Sequence, residues 1–200
     1  MVNNHKYLEE IEKYAEENNV PIMTNDGIEF LINYIKTNNV KKILEIGAAI
    51  GYSAIRMALI DEEIRITTIE RDEQRYLEAV KNIKKFNLEN RINLIFKDAF
   101  DVEITEEYDL IFIDAAKAQK IKFFEKFCKN LKLNGTIITD NMNFHGLVNL
   151  SPEEIKSRNL RALVRKLKDY TKYLKENKDY DTEFLDIGDG IAISKPKQNV

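Results

Sequence analysis

The chain predicts an α/β fold: a mostly parallel seven-stranded sheet with helices on both faces and an antiparallel hairpin at its C-terminal edge. Three observations predict it. From Val40 onward, short strand-like runs alternate with amphipathic segments, the pattern of strand–helix–strand units. Four of the runs are near-continuously apolar, as expected of strands covered on both faces. The last two, TEFLDIG and GIAISKP, meet at a GDG turn around Asp189 that suits a hairpin.

Taken in order, helical periodicity appears first over residues 7–17 and then over 27–37, where Ile28, Leu31, Ile32 and Ile35 share a face. Val20–Pro21 separates the two segments, because a residue before proline is driven out of the helical region. Strands follow at KKILEIG, RITTIE, INLIFKD, YDLIFID and GTIITDN, with helices over 52–59, 72–86 and 118–131 between them. A long helix then runs from about Pro152 to Glu176, with proline at a favoured first-turn position. The 200 residues suit one domain, with N-terminal helices over 1–38 and a sheet core over 39–200. Right-handed crossovers would bring the strand carboxyl ends to one edge, where ligands bind in such folds.

Composition narrows the setting. The single cysteine, Cys128, excludes an internal disulfide and fits a reducing compartment; it lies in the helical run FFEKFCKNL and is read as a core residue. The N-terminus MVNNHKYLEE has no apolar leader and no run reaches membrane-spanning length, so a cytoplasmic location without membrane association is expected. The net charge of −3 argues against a generally basic surface. Positive charge is instead concentrated between Ser151 and Lys175, a local pattern that suits an anionic partner.

Gly47 and Gly51 lie at the turn from the first parallel strand into a helix, where a nucleoside-type ligand needs close backbone approach. Their G-x-x-x-G spacing lacks the middle glycine that makes room for a pyrophosphate. An ordinary strand–helix turn would also account for the two glycines alone. Glu70, ending the second strand, adds an acid that can accept from both ribose hydroxyls. Glu45 is unusual within a buried strand and calls for partners such as backbone amides or a cationic ligand group. S-adenosyl-L-methionine, with its amino group, sulfonium and ribose diol, suits this acid-lined pocket. Asp98 and Ala99, closing the third strand, would lie beside the adenine.

Asp114 ends the fourth strand and Asp140–Asn141 end the fifth. Two carboxylates and an amide oxygen are hard donors, suited to Mg2+ or a similar divalent cation rather than zinc; a polar loop with a helix cap is the alternative reading of Asp140–Asn141. Lys117 lies one short turn beyond Asp114. Close to a divalent cation and partly desolvated, its ammonium form is disfavoured, so it can act as a general base on a hydroxyl. The neighbouring lysines, Lys120 among them, are set aside only because Lys117 has the fixed spacing from Asp114.

As a set, ILEIGAAIGYS from Ile43, TTIE ending at Glu70, IFIDAAK ending at Lys117 and TDN ending at Asn141 resemble the class I S-adenosylmethionine-dependent O-methyltransferases of the catechol and caffeoyl-CoA type, O-methyltransferase family 3. The resemblance covers Pro21 to the C-terminus and implies a Rossmann-like class I methyltransferase fold. It implies that Met23, Glu45, Gly47, Ala48, Gly51, Tyr52, Ser53, Glu70, Asp98, Ala99 and Asp114 line the methyl-donor site. By the same resemblance Asp114, Asp140 and Asn141 are metal ligands, Lys117 and Asp114 form the catalytic set, and the protein is a homodimer. VPIM near Met23, KKILEIGAAIGYSAIRMA, IFIDAAKAQ, the arginine-bearing helix and GDGIAISK are closest to the bacterial tRNA 5-hydroxyuridine methyltransferases, which implies a tRNA anticodon region as partner. NMNFHG after Asp140 departs from the pattern, and His145 within it is left outside the catalytic set.

The long helix bears on the acceptor. Leu160, Leu163, Val164, Leu167 and Leu174 recur at helical spacing and should pack on the sheet, while Arg158, Arg161, Arg165, Lys168 and Lys172 form a basic stripe on another face. Phosphates would relieve the repulsion along it, which makes Arg158, Arg161 and Arg165 candidate RNA contacts; a solvated lysine-rich face is the alternative. Ala115 and Ala116 would leave an open floor for a flipped nucleotide. Three functions remain open here: a tRNA O-methyltransferase, an O-methyltransferase of a small catechol-like phenol, and a non-catalytic nucleoside- or RNA-binding module.

Overall fold

The computed structural model describes residues 4–197. Its seven strands run in the order β3-β2-β1-β4-β5-β7-β6, and the chain divides into two compact units that meet in sequence at Glu103–Ile104.

The first unit contains α1 (Asn4–Glu17), α2 (Asn25–Thr37), β1 (Lys42–Ile46), α3 (Tyr52–Ala58), β2 (Arg65–Glu70), α4 (Glu73–Lys85) and β3 (Ile92–Phe96). Thr24 caps α2, its hydroxyl accepting from the Gly27 amide, and Asp72 caps α4 by accepting from the Arg75 amide. The face expected of α2 is the one it buries: Ile28, Leu31, Ile32 and Ile35. The three strands pair in parallel, with Ile46 opposite Ile69 and Glu70 opposite Phe96, so Glu70 closes β2 beside the end of β3. At the back of the turn after β1, Asn82 of α4 donates to the Ile50 carbonyl at 2.9 Å.

The second unit contains β4 (Tyr108–Ile113), α5 (Lys120–Phe127), β5 (Leu131–Thr139), α6 (Arg158–Glu176), β6 (Tyr180–Leu185) and β7 (Ile191–Pro196). β4 and β5 are parallel, while β7 runs antiparallel to both β5 and β6. Phe112, Phe124, Phe127 and Tyr170 fill the core, with the Tyr170 hydroxyl hydrogen-bonded to that of Thr139 at 2.9 Å.

Three boundaries differ from expectation. The helix expected over 118–131 is α5 flanked by single 3-10 turns at Lys117–Gln119 and Cys128–Asn130, and Leu131 already belongs to β5. The long helix starts at Arg158 rather than near Pro152, because the Ser157 hydroxyl caps it by accepting from the Leu160 amide. Upstream, the Glu154 carboxylate accepts from the Ser151 amide at 2.7 Å and Ile155 is buried, which folds this segment into a turn of its own. Cys128 is half-buried rather than a core residue, its thiol donating to the Glu125 carbonyl. Among the described residues no helix is long and apolar enough to cross a membrane.

Candidate active site

In the first unit the turn after β1 is built from backbone that few residues adopt. φ is +104° at Gly47, +45° at Ala49 and +82° at Gly51. The Gly47 and Ala48 amides both donate to the Ile69 carbonyl at 3.0 Å, which binds the turn to the end of β2. A Cβ on Gly51 would meet Ala79 of α4 at 3.4 Å. Gly51 is thus favoured by its left-handed conformation at the N-cap of α3, in addition to any ligand it admits, while the Ala79 contact is an ordinary one that a methyl group could make.

The three acids expected at the methyl-donor site, Glu45, Glu70 and Asp98, are each partnered. Glu45 is fully buried, and its two oxygens accept from the hydroxyls of Ser53 and Thr68, which join α3 and β2 to β1. The two hydroxyls are partners of a kind not among the backbone amides and cationic ligand group named from sequence. Glu70 accepts from three amides: Ala49 at 2.8 Å on Oε2, with Arg71 at 2.9 Å and Asp72 at 2.8 Å on Oε1. An ionised carboxylate offers about four lone-pair sites, so about one remains, on Oε2, for a ligand hydroxyl. Asp98 accepts from the Phe100 amide at 2.9 Å and pairs with Arg71 at 3.1 Å, linking the ends of β2 and β3 beside buried Ala99. Met23 and Ala48 are buried as well. The Tyr52 phenol donates to Glu12 of α1 at 2.7 Å and accepts from Arg56 at 2.8 Å. Burial and the Glu12 carboxylate push its pKa up to about 12, so it remains a neutral donor.

In the second unit, strand register brings the two aspartates together. Ile113 lies opposite Thr139, and the Asp140 amide donates to the Ile113 carbonyl at 3.2 Å, so Asp114 and Asp140 step off neighbouring strands at the same level. Asn141 follows at φ +55°, a left-handed conformation that Asn tolerates well. Its Nδ2 donates to Asp140 Oδ2 at 3.0 Å, and its Oδ1 accepts from the Lys117 ammonium at 3.1 Å. The Lys117 nitrogen also lies 4.9 Å from the centre of the Phe144 ring. Asp114, Lys117, Asp140 and Asn141 therefore form one cluster.

Its electrostatics are set by burial. Asp114 is held well above the usual carboxylate range, first by desolvation and then by the Asp140 charge, with Lys120 and Lys117 pulling the other way. Asp140 is raised too, by desolvation first, against the Asn141 amide and the Lys120 charge. Lys120 is 1% exposed, and its ammonium donates to the Asp140 backbone carbonyl. Burial pushes its pKa down while Asp114 and Asp140 pull it up. Among the described residues no group of three or more His, Cys, Asp or Glu side chains forms a metal cage. What the site offers is an open set of two carboxylates and an amide oxygen, a donor chemistry that fits Mg2+ with its remaining positions left to water or substrate.

Sequence reasoning did not single out two participants here. One is Lys120. The other is the GDG turn, read only as a hairpin. The Asp189 and Gly190 carbonyls accept from the Asn143 and Met142 amides at 2.8 and 2.9 Å, and Asp189 Oδ1 accepts from the His145 amide. The turn thus anchors the NMNFHG loop, whose Phe144, His145 and Gly146 all have positive φ. His145 itself is exposed.

The basic stripe becomes the wall of a cavity of about 510 Å3. Arg158, Arg161, Arg165 and Lys168 line it together with Leu150, Pro152, Ile155, Ala162 and Val164. Arg161 is braced by a hydrogen bond to the Ile155 carbonyl at 2.8 Å. Lys172, expected to continue the stripe, is not part of the lining and lies 3.9 Å from Glu176.

Known proteins are similar to this chain over nearly its whole length. A solved structure of a Staphylococcus aureus protein described as a "putative caffeoyl-CoA O-methyltransferase" is 42% identical, covers 95% of this chain and 92% of its own, and superposes with a TM-score of 0.90. An O-methyltransferase from Bacillus cereus, solved with S-adenosylhomocysteine (SAH), is 25% identical over 96% of this chain and 91% of its own, with a TM-score of 0.82. The flavonoid 3',5'-methyltransferase of Vitis vinifera is 31% identical over 92% of this chain and 80% of its own length. A family model described as O-methyltransferase matches residues 1–197, and the chain belongs to that family.

Proposed function

We propose that this O-methyltransferase takes its methyl group from S-adenosylmethionine and transfers it to the 5-hydroxyl of a 5-hydroxyuridine in the anticodon region of tRNA, giving 5-methoxyuridine. When bound, the donor would supply an electrophilic methyl on its sulfonium, and a divalent cation, which Asp114, Asp140 and Asn141 would hold, would supply Lewis acidity to the acceptor. The chain's residues do the rest. Glu70 and Asp98 offer acceptors to a ribose and adenine, and Ser53 holds the Glu45 carboxylate at the start of α3. Lys117 Nζ takes the proton from the acceptor hydroxyl, oriented by Asn141 Oδ1 and shielded on one side by Phe144. Positioning the reactants is worth roughly 7–11 kcal/mol of barrier in well-oriented systems.

The observation that carries the RNA reading is the basic cavity. Its four cations stand around an apolar floor, a combination that fits a nucleotide with flanking phosphates. The chemistry agrees, since 5-hydroxyuracil presents its 5-oxygen and 4-carbonyl as a chelating pair. A second reading, methylation of a small catechol-like phenol, is favoured by the relatives named for caffeoyl-CoA and flavonoids. Mass spectrometry of tRNA nucleosides from cells lacking the gene decides between them. Loss of 5-methoxyuridine with accumulation of 5-hydroxyuridine is expected; unchanged wobble nucleosides would give the site to the phenol.

A further inference from the structure

Lys120 opens α5 and is among the largest fully buried side chains of the protein. Lysine is almost never fully buried without partners, because desolvating an ammonium costs far more than its apolar stem gains. The partners here are specific. Its nitrogen donates to the backbone carbonyl of Asp140, the residue that follows β5. The charged groups that face it are Asp114, Asp140 and Asp189, with Lys117 opposing. Two carboxylates converging at neighbouring strand ends repel each other, and their repulsion is relieved by any cation placed among them. We infer that Lys120 is a positioning residue that serves as the resident counter-charge of the Asp114–Asp140 pair, holding the end of β5 in place without a divalent cation and weakening the pair's affinity for one.

The inference rests on the reading of Asp114, Asp140 and Asn141 as divalent-cation ligands. An ammonium and a divalent cation draw on the same negative field, so each lowers the other's gain. Lys117 offsets the pair's charge less than Lys120 does, its ammonium being directed to the Asn141 amide oxygen and the Phe144 ring. A neutral side chain at position 120 removes the larger of the two resident counter-charges and leaves more of the carboxylates' field to the metal. The folded state then depends on metal where the natural chain does not.

The test uses the full-length protein with Lys120→Met, which keeps the length of the stem, and Lys120→Gln, which keeps a donor for the Asp140 carbonyl but no charge. Mn2+ binding is followed by electron paramagnetic resonance, and Tm is measured in EDTA and in saturating Mg2+. Both variants are expected to bind Mn2+ about tenfold or more tighter than wild type. Their Tm deficit should be large in EDTA and small in Mg2+. Variants that fold only when Mg2+ is present support the inference equally. Mn2+ affinity within about twofold of wild type, with the same Tm deficit in EDTA and Mg2+, would overturn it, as would variants that stay unfolded in both. Failure of the metal reading itself has a different signature: Asp114→Asn would leave Mn2+ binding as in wild type.

Discussion

Lys117 donates to Asn141 Oδ1 at 3.1 Å, which ties the proposed base to one of the proposed metal donors. The contact joins two strand ends through side chains alone, since Lys117 follows β4 and Asn141 follows β5. It fixes where the amine points before any acceptor arrives. Lys117→Met should therefore lower kcat by about 10²–10⁴-fold, the usual range for a general base, with KM for the methyl donor little changed. Lys117→Arg should not restore turnover, because a guanidinium cannot give up its proton near neutral pH. Steady-state kinetics with the methyl donor varied checks both, and near-wild-type kcat for Lys117→Met would remove this residue from the mechanism.

Asp114 makes a pH-dependent contribution whose sign can be worked out. Its folded pKa is raised above the unfolded carboxylate value, by desolvation first and by Asp140 second. The folded state then holds the proton more tightly than the unfolded one. The associated stability is fully present below the unfolded value and is lost as pH rises through the folded one. In EDTA, the Tm of wild type relative to Asp114→Asn should accordingly fall between about pH 4 and about pH 7. A relative Tm that is flat or rises over that window would contradict the assignment.

The fold was legible because most of the parallel strands are near-continuous apolar runs and several boundaries have a local cause, such as the Thr24 and Asp72 caps. The site was legible where chemistry coincides with a strand end, as at Glu70, Asp114 and Asp140. Lys120 was passed over as one lysine among several, although its helical spacing was informative. Residues 120, 123, 124 and 127 follow the i, i+3, i+4, i+7 rule of a single face, and the other three are phenylalanines that the structure buries. A lysine on that face signals a buried charge. The start of α6 was misjudged because Pro152 and Ser157 are both good helix-start residues, and only the burial of Ile155 decides between them. The role of the GDG turn was not legible at all, since its partners lie more than forty residues away in the chain.

Glu45 offers a test of the first unit. Its carboxylate accepts from Ser53 and Thr68 with no exposure to water. Glu45→Gln keeps the size but replaces one acceptor oxygen with a donor, which faces a hydroxyl that already donates. A buried polar group left unsatisfied costs about 1–3 kcal/mol, and urea denaturation should show a loss in that range. Methyl-donor binding should weaken with it, because the contact holds Ser53 in the first turn of α3, directly after the turn that follows β1. A stability loss below about 0.5 kcal/mol would mean that the hydroxyls find other partners.

Gly190 and Gly146 form a matched pair that separates steric contact from backbone strain. Both are left-handed, at φ +82° and +79°, so alanine at either pays roughly 1–2 kcal/mol for its conformation. At Gly146 a Cβ would meet nothing within 4 Å, whereas at Gly190 it would lie 2.7 Å from Asn143 Cγ and 2.8 Å from the Asn143 amide nitrogen. That nitrogen donates to Asp189, and the Asn143 side chain donates to Asp186 at 2.7 Å, so the loop cannot yield without breaking its anchors. The loop begins at Asn141 and carries Phe144, the two residues that hold the Lys117 ammonium. Gly146→Ala should therefore lose stability while keeping most of its kcat, and Gly190→Ala should lose stability and about tenfold or more in kcat. Denaturation curves and turnover measured side by side decide it; equal kcat in the two variants would show that the anchoring of this loop does not matter to the base.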